Sequence, residues 1–288
     1  MLAVSLALVA SFTFGLTTVL VHRAVRGTDV FTGLLLDLSF NTLLLWLFLF
    51  WFYDLGILWA RVNLVFVGAG LLVPGFFRLL AFKGIERLGA STSAVILNTS
   101  PLFAILIAVL FLGEKPGPMN VLGAVCVVGG LVMLSWQGRA HSWNIRDLMF
   151  PLGAALLAAG RDNLVRVGLQ AGPPPVVGAT IAATTSALAI GLLYFPRLGG
   201  RRFRLAQAGS LWGFSLVGCF HFIAYITMFT ALGMAEVSVV SPLIHCFSLF
   251  TLGLSAVFLK DSDPITGRKI TAGCLVVLGV LLISLTRS

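Results

Sequence analysis

The chain has 288 residues, of which 59% are hydrophobic and only 10% charged, and its formal net charge is +9. Soluble domains carry about a quarter charged residues, so a chain this apolar has no surface to present to water. The excess Lys and Arg sit in short connectors between apolar runs, where such residues set membrane topology, and this argues against a nucleic-acid partner.

A hydrocarbon layer of roughly 30 Å takes about 20 apolar helical residues per crossing. The first span by that measure is Leu2–Val21, which lacks a basic leader and an A-x-A site and reads as an uncleaved helix, not a signal peptide. Later spans follow near 30–52, 62–82, 89–112, 119–136, 147–168, 175–195, 209–232, 236–259 and 270–286. The connectors carry turn and charge signals, as in Arg26-Gly27-Thr28-Asp29 and Glu114-Lys115-Pro116-Gly117-Pro118. None is long enough for a soluble domain. Helices satisfy their own backbone in lipid, whereas barrel strands would show alternating segments of roughly ten residues. The expectation is an all-α polytopic membrane protein of ten transmembrane helices, with five spans in residues 1–138 and five in 139–288. The four cysteines lie singly in apolar segments and read as small packing residues.

The two halves repeat. Ser91–Glu114 slides without a gap onto Ser238–Asp261, an offset of 147 positions that pairs Leu102 with Leu249, Phe103 with Phe250, Phe111 with Phe258 and Leu112 with Leu259. The same offset pairs Glu114 with Asp261 and Asn98 with His245. A different slide superposes Pro101 on Pro242 but loses the acidic match. Each copy is followed by an apolar segment with a G-x5-G spacing, Gly123 to Gly129 and Gly273 to Gly279. An odd number of spans per half inverts the second copy in the membrane, and inverted repeats enclosing a midplane site are an architecture of secondary transporters.

The segments Ala81–Ser91, Ser100-Pro101-Leu102-Phe103, Leu112-Gly113-Glu114-Lys115 and Leu122-Gly123-Ala124, with Ala231-Leu232-Gly233, Ser241-Pro242-Leu243 and Asp261–Gly273, resemble the drug/metabolite transporter superfamily in its branch of two EamA-type domains. The resemblance implies ten spans in a five-plus-five layout. Two features depart from it: Phe14-Gly15-Leu16-Thr17 stands where an aromatic-Gly-small-Asn pattern is common, and Lys260-Asp261 replaces Gly-Glu.

Charges inside spans carry the mechanistic content. Asp37, Arg78, Arg161 and Asp162 fall within spans, two of each sign, and a charge at the bilayer centre costs about 2.5–3.5 kcal/mol on insertion scales. Such residues face a cavity or each other, so static ion pairs compete with substrate or proton handling as their role. Asp37 shares a helix face with Asn41, and Asp162 with Arg166. Weaker polar stripes are Ser238, Ser241, His245 and Ser248 in the ninth span, and His221 with Tyr225, Gly218 and Met228 in the eighth. Lone histidines in spans are commonly hydrogen-bonded packing residues, and Thr180, Thr184 and Ser186 read as helix-bonded hydroxyls. The substrate-pathway candidates are Asp37, Arg78, Asn98, Arg161, Asp162, His221, Tyr225 and His245.

No G-x-x-x-x-G-K-[ST], H-E-x-x-H, G-x-S-x-G or metal-spaced cluster occurs in the sequence, so the reading is not an enzyme and has no cofactor or metal. The expected function is a secondary transporter, an exporter or exchanger in the plasma or inner membrane, moving a small polar or amphipathic solute, with proton coupling as one route to drive it. The competing readings are a lipid-linked-sugar flippase and a non-transporting scaffold or assembly subunit.

One set of connectors, running from Arg23 and Arg26 through Arg201, Arg202 and Arg204 to Lys269, holds most of the Lys and Arg, while the other holds only Arg61, Lys115, Arg166 and Arg287. The positive-inside rule places the first set in the cytoplasm and both termini outside. Reporter fusions at the C-terminus are therefore expected to read as external; a cytoplasmic readout would reverse the assignment.

Overall fold

The computed structural model describes residues 1–24, 30–88, 90–135, 145–198, 208–258 and 267–285, and among these every regular element is helical. Eight stretches are long and apolar enough to cross a membrane: Leu2–Val21, Thr32–Phe52, Arg61–Leu88, Thr92–Phe111, Pro118–Ser135, Pro175–Leu193, Leu211–Met234 and Val237–Ser255. Two further helices run with them, Met149–Gln170, which carries Arg161, Asp162 and Arg166, and the shorter apolar Ile270–Leu285.

The first half contributes α1 (Leu2–Ala24), α2 (Val30–Phe52), α3 (Leu64–Gly70), α4 (Phe77–Leu88), α5 (Ala90–Leu97), α6 (Ser100–Phe111) and α7 (Pro118–Ser135). The second contributes α8 (Met149–Gln170), α9 (Pro175–Leu198), α10 (Ala208–Met234), α11 (Val237–His245), α12 (Phe247–Phe258) and α13 (Gly267–Leu285).

Three of the expected continuous spans are broken. The third is interrupted over Leu71–Phe76, where Val73 is extended (φ −137°, ψ 126°) because the ring of Pro74 disfavours helical geometry in the preceding residue. Ser186 Oγ lies 2.8 Å from Gly70 O, a carbonyl that the break releases, and 2.8 Å from Ala182 O of its own helix, so its single proton serves one of them at a time. The fourth span divides into α5 and α6 at Asn98-Thr99, and Pro101 in the first turn of α6 has no N–H to continue the helix. The ninth divides into α11 and α12 at Cys246. The breaks follow the 147-residue slide: Thr99 falls on Cys246, and Ser100, which starts α6, falls on Phe247, which starts α12. The two breaks therefore correspond although Pro101 and Pro242 do not.

Apolar packing is concentrated in one half of the bundle. Ala3, Val4 and Ala7 of α1, Leu45 and Leu49 of α2, Ala104 and Ala108 of α6, and Phe229, Ala231 and Leu232 near the end of α10 belong to one buried cluster with Val237, Val239, Val240, Leu243 and Ile244 of α11. α7 and α13, which give Val127, Leu131, Val276 and Ile283 to the same cluster, lie antiparallel in close backbone contact. A Cβ on Gly123 would sit 2.8 Å from the Gly279 carbonyl oxygen, and one on Gly130 would sit 2.7 Å from the Ala272 carbonyl oxygen. Small residues at such a seam let dispersion and backbone contacts hold helices that have no hydrophobic drive to associate in lipid. The G-x5-G pairs divide: Gly123 and Gly279 meet across the seam, whereas Gly129 and Gly273 have only ordinary side-chain neighbours at 3.5 Å.

Gly123→Leu is expected to destabilise the protein by about 1–3 kcal/mol through overpacking, lowering its melting temperature in detergent, while Gly129→Ala leaves the melt unchanged. Equal melts for the two variants would show that the seam tolerates a side chain.

Candidate functional site

The half of the bundle opposite the apolar packing holds a cavity of about 600 Å³. It extends from the helix breaks toward the end where α1 finishes and α2 begins, and its lining includes Phe14, Thr17, Asp37, Asn41, Phe77, Asn98, Arg161, His221, Tyr225 and His245. Of the eight candidates named from sequence, Asp37, Asn98, Arg161, His221, Tyr225 and His245 line this one space. Arg78 lies on α4, and its side chain falls outside the described residues.

Asp37 and His221 meet across the two halves. Asp37 Oδ1 on α2 is 2.6 Å from His221 Nδ1 on α10, with the side chains 7% and 20% exposed. Two charges of each sign within the spans suggested that carboxylates pair with arginines; the described partner of Asp37 is the imidazole. The two helices approach closely because Gly218, one turn from His221, leaves room for Phe40 and the Asp37 carbonyl. The far face of the imidazole meets Phe14, with ring centroids 5.8 Å apart, and Phe14 in turn lies 6.2 Å from the Tyr225 ring.

Arg161 and Asp162 are consecutive on α8. Arg161 Nε lies 2.8 Å from Asp162 Oδ1, but the angle between neighbouring side chains is too poor for a hydrogen bond, and both atoms lack one. Asp162 is fully buried, and its other oxygen accepts a hydrogen bond from Ser241 Oγ at 2.7 Å. Among the described residues, the partner of Arg161 Nη1 is the thioether sulfur of Met228, at 3.5 Å. The guanidinium is thus charge-balanced by its neighbour while its hydrogen-bonding capacity is poorly used, and it borders the cavity. Arg166, which shares a face of α8 with Asp162, donates from Nη1 to the carbonyls of Leu232 and Gly233 at 2.9 and 2.8 Å, in the last turn of α10. A cation there complements the helix C-terminus.

Asn98 and His245, paired by the sequence repeat, both sit at helix breaks and both line the cavity. Asn98 Nδ2 donates to Ser135 Oγ at 2.8 Å, and His245 Nδ1 is 2.9 Å from Ser241 O. Ser135 gave no sequence signal, being a lone hydroxyl at the end of an apolar helix, and neither did Phe77 or Phe247, which line the cavity. Thr184 also has a tertiary role, since it accepts a hydrogen bond from Trp46 Nε1 at 3.0 Å. Among the described residues no group of three or more His, Cys, Asp or Glu is placed to hold a metal ion.

Aromatic side chains, a guanidinium and a carboxylate–imidazole pair thus border one cavity. A crystal structure of a protein 18% identical in sequence superposes with a TM-score of 0.80, covering 99% of this chain and 96% of that one, which shows a shared fold. No match is found among curated proteins. Residues 1–136 and 147–285 each match the EamA-like transporter family. The chain is a multi-pass membrane protein and belongs to the EamA-like transporter family, whose members carry small solutes.

Proposed function

We propose that this protein is a secondary transporter, an exporter or exchanger of the cell membrane, that moves a small amphipathic metabolite bearing a carboxylate or phosphate by alternating access. In this reading the ten spans form two inverted repeats, 1–138 and 139–288, which rock about the central cavity. The observation that carries it is the convergence of Arg161, Asp37, His221 and His245, from helices of both halves, on one cavity at the helix breaks. A scaffold would scatter such groups along separate helix seams.

Arg161 supplies the positive end of the site. A guanidinium presents paired donors that match carboxylate and phosphate oxygens, and in a low-dielectric vestibule this contact gains strength. Asp162, anchored by Ser241, keeps the charge tolerable when no solute is bound. Phe14, Phe77, Tyr225 and Phe247 offer apolar and aromatic surface to the rest of the molecule. Arg78, from its place on α4, is assigned to the same pathway on sequence grounds alone.

The Asp37–His221 pair is the coupling element in this reading. It joins α2 of one repeat to α10 of the other, so relative movement of the repeats changes its separation and decides whether the carboxylate is partnered or faces the cavity alone. Among the described residues, Arg161, Tyr225 and His245 are the other ionisable groups lining the space with them.

In reconstituted vesicles screened against a metabolite panel, Arg161→Ala is expected to reduce transport of an anionic solute by about tenfold or more, with normal amounts of protein in the membrane. Undiminished transport by the folded variant would remove the arginine from the site.

Asp37→Asn is expected to abolish accumulation driven by a pH gradient while leaving solute exchange at equal pH within a few-fold of the parent. Loss of exchange and accumulation together would make the pair structural, not coupling.

A further inference from the structure

The helix that presents Ser241 and His245 to the site begins at a face of the bundle far from the cavity, and the group that caps it comes from the other half of the chain. All nine residues of α11 are buried. Its own cap residue, Glu236, makes no side-chain capping bond, so the first N–H groups of the helix need another acceptor. Glu114 provides it. Its Oε1 accepts from Val237 N at 2.7 Å and its Oε2 from Ser238 N at 3.0 Å.

The local chain is built to deliver that carboxylate. α6 ends at Phe111, Gly113 takes a left-handed conformation (φ 68°) that reverses the backbone, and the Glu114 N–H returns to Ala108 O at 3.1 Å. Glu114 is thereby fixed to the end of α6 and aimed at the positive end of α11. Two charge-assisted hydrogen bonds at a helix N-terminus are among the stronger contacts a partly buried carboxylate can make.

We propose that Glu114 is a latch: it caps α11 in trans, closes the packed face of the transporter, and must let go when that face opens. The proposal rests on the alternating-access reading given above. The latch joins residues 1–138 to residues 139–288 on the side where the apolar cluster fills the bundle, and opening that side while α11 stays with its own half breaks both hydrogen bonds. The same contact positions the site. Ser241, which holds Asp162, lies one turn into α11, and His245 lies one turn further, so the start of the helix sets the height of both.

Two substitutions probe the latch from opposite partners. Glu114→Gln keeps the shape but replaces one acceptor oxygen with a donor. Val237→Pro removes one of the two N–H donors and leaves Glu114 intact; proline suits the first helical position, and Glu236 already has the extended conformation (φ −58°, ψ 147°) that a following proline requires. Nitroxide labels at Met119 and Met234, both exposed on the latch side, in a protein with its native cysteines replaced, report the separation of the halves in lipid nanodiscs. The parent is expected to show one short distance. Both variants are expected to raise the long-distance population about tenfold, with Glu114→Asp intermediate. Unchanged distances in Val237→Pro overturn the latch, and that variant decides the matter if Glu114→Gln is not recovered folded. The measurement needs no solute: a distance shift in a protein that moves nothing retains the latch and sinks the transport reading, whereas unchanged distances with intact transport sink the latch alone.

Discussion

In the hydrocarbon layer no water answers a charge, so every ionised side chain must be placed where protein or a wet cavity answers it. This constraint organises the molecule. Asp162 has no exposed surface and is held between Arg161 and Ser241; Asp37 is held by His221; Arg166 rests on the carbonyls that end α10. Each arrangement also ties together elements distant in sequence. The pairs that make the charges tolerable are therefore the same contacts that bring α2, α8, α10 and α11 around one space.

Helix breaks supply the second ingredient. A continuous helix spends its backbone groups on itself and leaves nothing polar at mid-depth, whereas the interruptions at Val73-Pro74, Asn98-Thr99 and Cys246 place carbonyls, an amide and an imidazole where a solute can reach them. Irregular backbone of this kind is tolerated within a membrane only where protein or a cavity surrounds it. Ser186 illustrates the local compensation, reaching from α9 to a carbonyl released ahead of Pro74.

Much of this was legible in the sequence because bilayer thickness and charge cost are strict rulers. Span positions followed from the lengths of apolar runs, and the 147-residue slide, chosen on Glu114 and Asp261 and not on the prolines, brings the two helix breaks into register. Asp261 itself lies outside the described residues. The partners of the charges were not legible. Spacing along a single helix put Arg166 on one face with Asp162, but the carbonyls it meets belong to α10, brought close by tertiary packing alone. Asp37 was matched to arginines by charge balance, which counts signs and ignores which helices touch. Ser135 and the capping role of Glu114 were silent for the same reason: each depends on a helix end from elsewhere in the chain.

The glycine seam between α7 and α13 has a reciprocal character. Space at Gly123 is filled by the Gly279 carbonyl, and space at Gly279 by the Gly123 carbonyl, so each helix offers the other the same kind of notch. Mutual contacts of that form are how identical subunits meet about a two-fold axis. When both surfaces lie on one chain, association becomes intramolecular and proceeds at the high effective concentration that a tether imposes. The seam then need not be strong enough to recruit a free partner, and the two halves need not stay alike. An asparagine at one helix break and a histidine at the other is the kind of asymmetry that a pair of identical subunits could not hold and a fused pair can.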